Sequence, residues 1–207
     1  MSGGIHILIL AAGASRRMRG DDKLLRQIEG EPLLQRTARQ AVESKAQAVH
    51  VVVPAGHHER EGVLAGSGVS IVPCRDWREG MGASLRAGIA MIPEEASAVI
   101  VSLADMPDIT AAHYNALIEA FAATASDVRS FQILRAVTAS GRVGHPVLFG
   151  KAWLKELVQV SGDHGARGIL QREKRDIVLV PTEGEGAVTD LDTPEAWASW
   201  VQVNLLG

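Results

Sequence analysis

The chain has 207 residues, 46% apolar and 22% charged, the balance of an ordinary soluble globular protein and enough for one domain spanning residues 1–207. Aromatics at 4% and a net charge of −3, with no block of Lys or Arg, exclude a nucleic-acid partner, which needs stacking rings or a basic face. A lone Cys74, no leader-like start and no apolar run near membrane-spanning length argue against an oxidising compartment and a membrane partner, so a cytoplasmic location is expected. The charge is uneven: residues 1–40 carry seven Lys/Arg against four Asp/Glu, or +3, leaving −6 for the rest. That imbalance predicts an anion site near the N-terminus.

Seven short apolar runs read as strands: 5–10, 49–53, 69–72, 98–103, 131–136, 146–149 and 177–180. The first, second and fourth are almost continuously apolar, as in strands covered on both faces of a parallel sheet. Between the runs the pattern turns helical. Pro32 opens a helix over 33–43, a glycine-rich loop leads into one over 84–91, and Thr110 caps one over 111–123, with Asp108 also placed for capping. Thr193 and Pro194 begin a closing helix to residue 203, with Trp197 and Trp200 on one face; Trp153 is read with them as core. Alternating strands and helices predict an α/β, Rossmann-like three-layer fold with a mostly parallel central sheet. In such a sheet ligands sit beyond the carboxyl ends of the strands.

The loop after the first strand, Leu10-Ala11-Ala12-Gly13-Ala14-Ser15-Arg16-Arg17-Met18-Arg19-Gly20-Asp21-Asp22-Lys23, is built of small residues and then cations. Small side chains let backbone N–H groups approach an anion, and Arg16, Arg17 and Lys23 add positive charge, so the loop reads as a triphosphate cradle. It is neither a P-loop nor a dinucleotide fingerprint. Residues 80–88 imitate the latter, but Leu85 stands where its third glycine belongs, which rejects a nicotinamide or flavin site. Cys74 has no local base partner and reads as structural, and His57-His58 reads as a solvated helix start, since adjacent helical residues diverge.

Ala11-Ala12-Gly13-x-Ser15-x-Arg17-Met18 with Lys23 resembles the signature loop of MobA-like nucleotidyltransferases, the branch with molybdenum cofactor cytidylyltransferase and guanylyltransferase. The resemblance continues through Trp77-x-x-Gly80-Met81-x-x-Ser84, Asp105-Met106-Pro107 with Thr110, Gly144-His145-Pro146, Gly165-Ala166-Arg167 and Leu191-Asp192-Thr193-Pro194. One departure stands out: Arg19 occupies the position after Arg-Met where the family usually has glycine, with Gly20 one later.

The resemblance implies a nucleotidyltransferase moving CMP from CTP to the phosphate of molybdenum-bound molybdopterin, with release of pyrophosphate. Ala11 to Ser15, Arg17, Lys23, Ser84 and Asp105 would bind the nucleotide, with Lys23, Arg17 and Asp105 catalytic. Lys23 acts as a point charge and Arg17 through its fork, both suited to phosphate. Mg2+ is the expected cofactor, held by Asp105 and by Asp192 or Asp190, because magnesium favours one or two carboxylates beside phosphate oxygens and water. Gly82, His145 and Arg167 are the expected second-substrate contacts. Cytosine is favoured because the guanylyl-transferring relatives usually carry glycine at the position of Ala12. A guanylyl or other nucleotidyltransferase, and a carrier delivering molybdenum cofactor to a molybdenum hydroxylase, are the alternatives.

Overall fold

The computed structural model describes residues 3–205. In chain order its elements are β1 (Ile5–Leu10), β2 (Gln27–Ile28), β3 (Glu31–Pro32), α1 (Leu33–Val42), β4 (Ala48–Pro54), α2 (His58–Leu64), β5 (Ser70–Cys74) and α3 (Met81–Ile89). They continue with β6 (Ala98–Leu103), α4 (Ala111–Ala123), β7 (Ile133–Val137), β8 (Val143–Gly150), α5 (Leu154–Leu157), α6 (Arg167–Arg172), β9 (Val178–Pro181) and α7 (Pro194–Leu205). Strands β2 and β3 form a small hairpin; the other seven make one sheet in the order β5-β4-β1-β6-β8-β7-β9.

The pairs β5–β4, β4–β1, β1–β6 and β7–β9 are parallel, while β8 is antiparallel to both β6 and β7. Strand β8 therefore runs against the other six, and its beginning lies beside their carboxyl ends. This is the expected α/β architecture, with the reversal of β8 added.

Alternation along the buried strands builds three layers. From β1, Ile7 and Ile9 enter a core with Leu34 and Ala38 of α1, Leu117 of α4 and Trp197 and Trp200 of α7. Leu8 points the other way, into a core with Val52, Val99, Ala83 and Leu85 of α3, and Ile169 of α6. Gly88 of α3 sits so close to Leu8 that an added Cβ would collide with its side chain.

Thr110 caps α4, as expected, in a reciprocal box with His113. Asp108 takes no part in that cap, and its carboxylate instead accepts the Trp200 indole N–H at 3.0 Å. Thr193 caps α7 through a 3.1 Å bond from the Ala196 N–H. The second expected helix begins at Met81 instead of Ser84, because Gly80, at φ 109°, turns the chain just before it. Phe131, expected in a strand, lies 66% exposed in a short turn, and Trp153 is only half-buried, its indole donating to the Phe131 carbonyl at 2.8 Å.

Candidate active site

The first strand ends at Leu10, paired with Val52 on one side and Leu103 on the other, so the loops after β1 and β6 emerge side by side. Ala11 and Ala12 are buried against the sheet, and Gly13 and Ala14 stand open. Among the described residues, no hydrogen bond uses the amide N–H of Gly13, Ala14 or Ser15. These three residues line a cavity of about 620 Å3, together with Lys23, Asp105, Asp190 and Asp192 and with Gly144 and His145 at the start of β8.

A buried arginine shapes this loop. Arg60 of α2 is 2% exposed and grips Asp22 with both arms, at 2.7 and 2.9 Å, while its remaining nitrogen donates to the Ala11 carbonyl at 2.6 Å. Asp22 also accepts the Leu24 N–H at 3.0 Å. Burial works to raise the Asp22 carboxyl, but Arg60 outweighs it and holds the group below its ordinary range. His57 caps α2 by accepting the Arg60 N–H, and His58 is exposed, so the His57-His58 pair is a helix start, as read from the sequence.

The loop passes through left-handed backbone at Ser15 (φ 49°) and Arg19 (φ 55°). Arg19 thus adopts the conformation that the family's glycine takes freely, at a cost of roughly 1 kcal/mol. Its guanidinium meets Glu195 on α7 at 2.9 Å in an exposed pair. The side chain of Arg16 lies outside what the structure describes.

At the floor of the cavity Lys23 bridges two carboxylates, its ammonium 2.5 Å from both Asp105 and Asp192. Asp192 also receives Arg17. Burial disfavours the Lys23 charge, but the two aspartates outweigh it and raise the group above its ordinary value. Burial likewise works to raise Asp192, and Lys23 overrides it and keeps that carboxyl low; Asp190 beside it is raised by burial and by Asp192. Asp105 Oδ1 is buried without a hydrogen-bond partner. The unclaimed carboxylate oxygen suits a hard divalent cation, while among the described residues no group of three or more Asp, Glu, His or Cys is gathered to hold one without further ligands.

The remaining expected residues divide. Ser84, 5% exposed, lines the cavity. His145 lines it too, with its Nδ1 buried and unpartnered, and burial together with Arg135 pushes the imidazole down to about 4. Gly82 does not line it. Its Cα faces Ser161 and Gly162, where a Cβ would lie 2.9 Å from backbone atoms, so its smallness serves packing. Arg167 lines a second cavity of about 740 Å3, which adjoins the first and shares Leu10, Met81, Leu103, Arg135, Val143, His145 and Asp163 with it. Cys74 is buried, and burial raises its thiol, which suits a packing role. Among the described residues, no helix is long and apolar enough to cross a membrane.

A three-layer fold in which a donor-rich loop and a lysine–carboxylate cluster line one cavity defines a phosphate-handling α/β domain. The chain belongs to the MobA-like NTP transferase domain family, whose model matches residues 7–177, and it is a nucleotidyltransferase. It is 30% identical over 199 residues to the purine catabolism protein PucB of Bacillus subtilis (strain 168), covering 92% of each chain. It is 29% identical over 199 residues to the nicotine blue oxidoreductase of Paenarthrobacter nicotinovorans, covering 91% of this chain and 92% of that one. Among solved structures, Rv0371c of Mycobacterium tuberculosis H37Rv superposes with a TM-score of 0.83 at 24% identity, covering 98% and 99% of the two chains. Its manganese complex gives 0.77 at 22% identity over 96% and 98%, and a CMP:2-keto-3-deoxy-manno-octonic acid synthetase complexed with CTP gives 0.74 at 15% over 96% and 97%.

Proposed function

We propose that the protein transfers CMP from CTP to the terminal phosphate of molybdenum-bound molybdopterin, releasing pyrophosphate. The observation that carries the reading is the Lys23 ammonium held between Asp105 and Asp192 in the same cavity that the unpaired loop residues Gly13 to Ser15 line. Amides and ammonium together suit a triphosphate, and the adjoining, more apolar cavity leaves room for a ring-bearing acceptor. Support for cytosine comes from Ala12 in the signature loop and from the fold shared with a CTP-bound structure.

Magnesium is the proposed ion. Asp105, through its unclaimed Oδ1, and Asp192 would hold it, with Asp190 at the margin. When bound, it would neutralise phosphate charge. Backbone N–H groups of the loop would then orient the triphosphate, Lys23 and Arg17 would contact phosphate oxygens, and Ser84 would border the nucleotide. These residues act by positioning and by opposing charge, with no covalent intermediate needed. His145, held neutral by burial, suits hydrogen bonding to substrate better than proton transfer at neutral pH.

Pyrophosphate release, measured with each of the four nucleoside triphosphates and magnesium, with and without molybdenum-charged molybdopterin, tests the reading. Release that requires both CTP and the pterin is expected. Release with GTP in place of CTP would make the protein a guanylyltransferase, and pterin binding without release from any triphosphate would make it a carrier for a molybdenum hydroxylase.

A further inference from the structure

The seam between the two cavities holds an arginine that no sequence motif singled out. Arg135 lies on β7, beside the start of β8, and lines both cavities. Among the described residues it forms no ion pair, and its one hydrogen bond runs from Nε–H to the Gly144 carbonyl at 2.8 Å. The four N–H bonds on its two terminal nitrogens are uncommitted, and neither nitrogen is among the buried unpartnered atoms, so both keep access to solvent at the edge of the cavities the residue lines. A partly buried guanidinium without a carboxylate is costly unless a ligand supplies the anion.

The second cavity gives that ligand a shape. Its walls include Leu85, Val101, Val147, Phe149, Leu170 and Ile177, and the charged side chains around them are Arg135, Arg167 and Lys174 against the single carboxylate of Asp163. The surroundings are apolar with an excess of two positive charges.

We infer that Arg135 is the residue that selects for the acceptor's phosphate, fixing it at the seam where the second cavity meets the nucleotide cavity. This rests on the nucleotidyl-transfer reading, which requires an acceptor phosphate to approach the triphosphate from the side. The fork of Arg135 matches a phosphate in two-point fashion, which an ammonium does not reproduce. The apolar wall selects the ring, and the arginine selects the phosphorylated form over the free alcohol.

Calorimetric titration with 1-naphthyl phosphate as probe and 1-naphthol as control tests this in the wild type, Arg135→Ala and Arg135→Lys. In the wild type the phosphate ester binds more tightly than the alcohol. Arg135→Ala narrows that preference about tenfold or more, the scale of a charge-assisted hydrogen bond, and Arg135→Lys restores part of it. No binding of the ester by the wild type, an unchanged preference in Arg135→Ala, or an equal loss for ester and alcohol each overturns the inference, the last by reducing Arg135 to a structural part. A thermal melt of each variant checks folding, and Arg135→Lys carries the test if the alanine variant fails to fold. A parallel titration of CTP with magnesium separates the two readings: failure there would remove the nucleotidyl-transfer reading and leave the aryl phosphate result standing on its own.

Discussion

Replacing Lys23 by methionine keeps most of the side chain's length and removes the ammonium that bridges Asp105 and Asp192. Both contacts are 2.5 Å, and the three side chains are 11%, 17% and 21% exposed, so the pairs are shielded without being dry. Breaking a fully buried pair costs about 3–5 kcal/mol, because a charge is left uncompensated; partial exposure brings this to roughly 2–3 kcal/mol. For a chain of this size that corresponds to a fall in Tm of roughly 4–12 °C, measured in EDTA at neutral pH. Manganese should then rescue Lys23→Met more than it stabilises the wild type, since the ammonium no longer competes for the carboxylates. An ion at about 100 times its Kd returns roughly 2.7 kcal/mol. The readout is the melting temperature of both proteins across a manganese titration. A variant as stable as the wild type in EDTA, or one that gains no more from manganese than the wild type does, would refute the view of Lys23 as the resident counter-charge of a cation site.

Stability should fall as pH drops below neutral. His145 is pushed down to about 4 from 6.5, first by burial and then by Arg135, and burial also lowers His6, His50 and His113. Between those pH values the unfolded chain binds protons that the folded chain does not, so His145 alone contributes at most about 3 kcal/mol at neutral pH, lost on acidification through that window. Denaturant melts at pH 7.5 and 4.5 measure this, and equal midpoints would contradict it. Arg60→Lys keeps the charge but loses the two-armed grip on Asp22 and the bond to the Ala11 carbonyl. It should cost about 2 kcal/mol in urea unfolding and raise the KM for the triphosphate; an unchanged KM would mean that the loop does not depend on this brace.

The parts of this molecule legible in its sequence are those whose cause is local. Ile5 to Leu10 and Ala98 to Leu103 are almost continuously apolar because helices cover both faces of the sheet, and the small residues after the first run mark where the backbone must stay accessible. Lys23 and Asp105 could be named because the family's motifs carry them. Arg60 could not: it reaches Asp22 across 38 residues, and its own helix reads as an ordinary charged surface segment. Arg135 was hidden for a related reason, since a cation on an alternating strand looks solvated until β8 closes beside it. Reversal of β8 is what brings His145 to the site, and apolar content alone carries no strand direction. Gly82 misled in the opposite sense, since a glycine beside a binding loop can be small for a neighbouring backbone alone.

The opening loop and the last helix are tied together across the mouth of the site. Arg17 meets Asp192 just before α7, and Arg19 meets Glu195 on its first turn. A triphosphate that recruits Arg17 must draw it away from an anion the protein already supplies, so filling the site is an exchange of counter-ions and not the neutralising of an idle cation. Such an exchange weakens the pull on anions that offer too little charge, a lone phosphate above all, and it couples occupancy of the loop to the freedom of the C-terminal helix. Residues nearly two hundred positions apart would then loosen as the cradle fills.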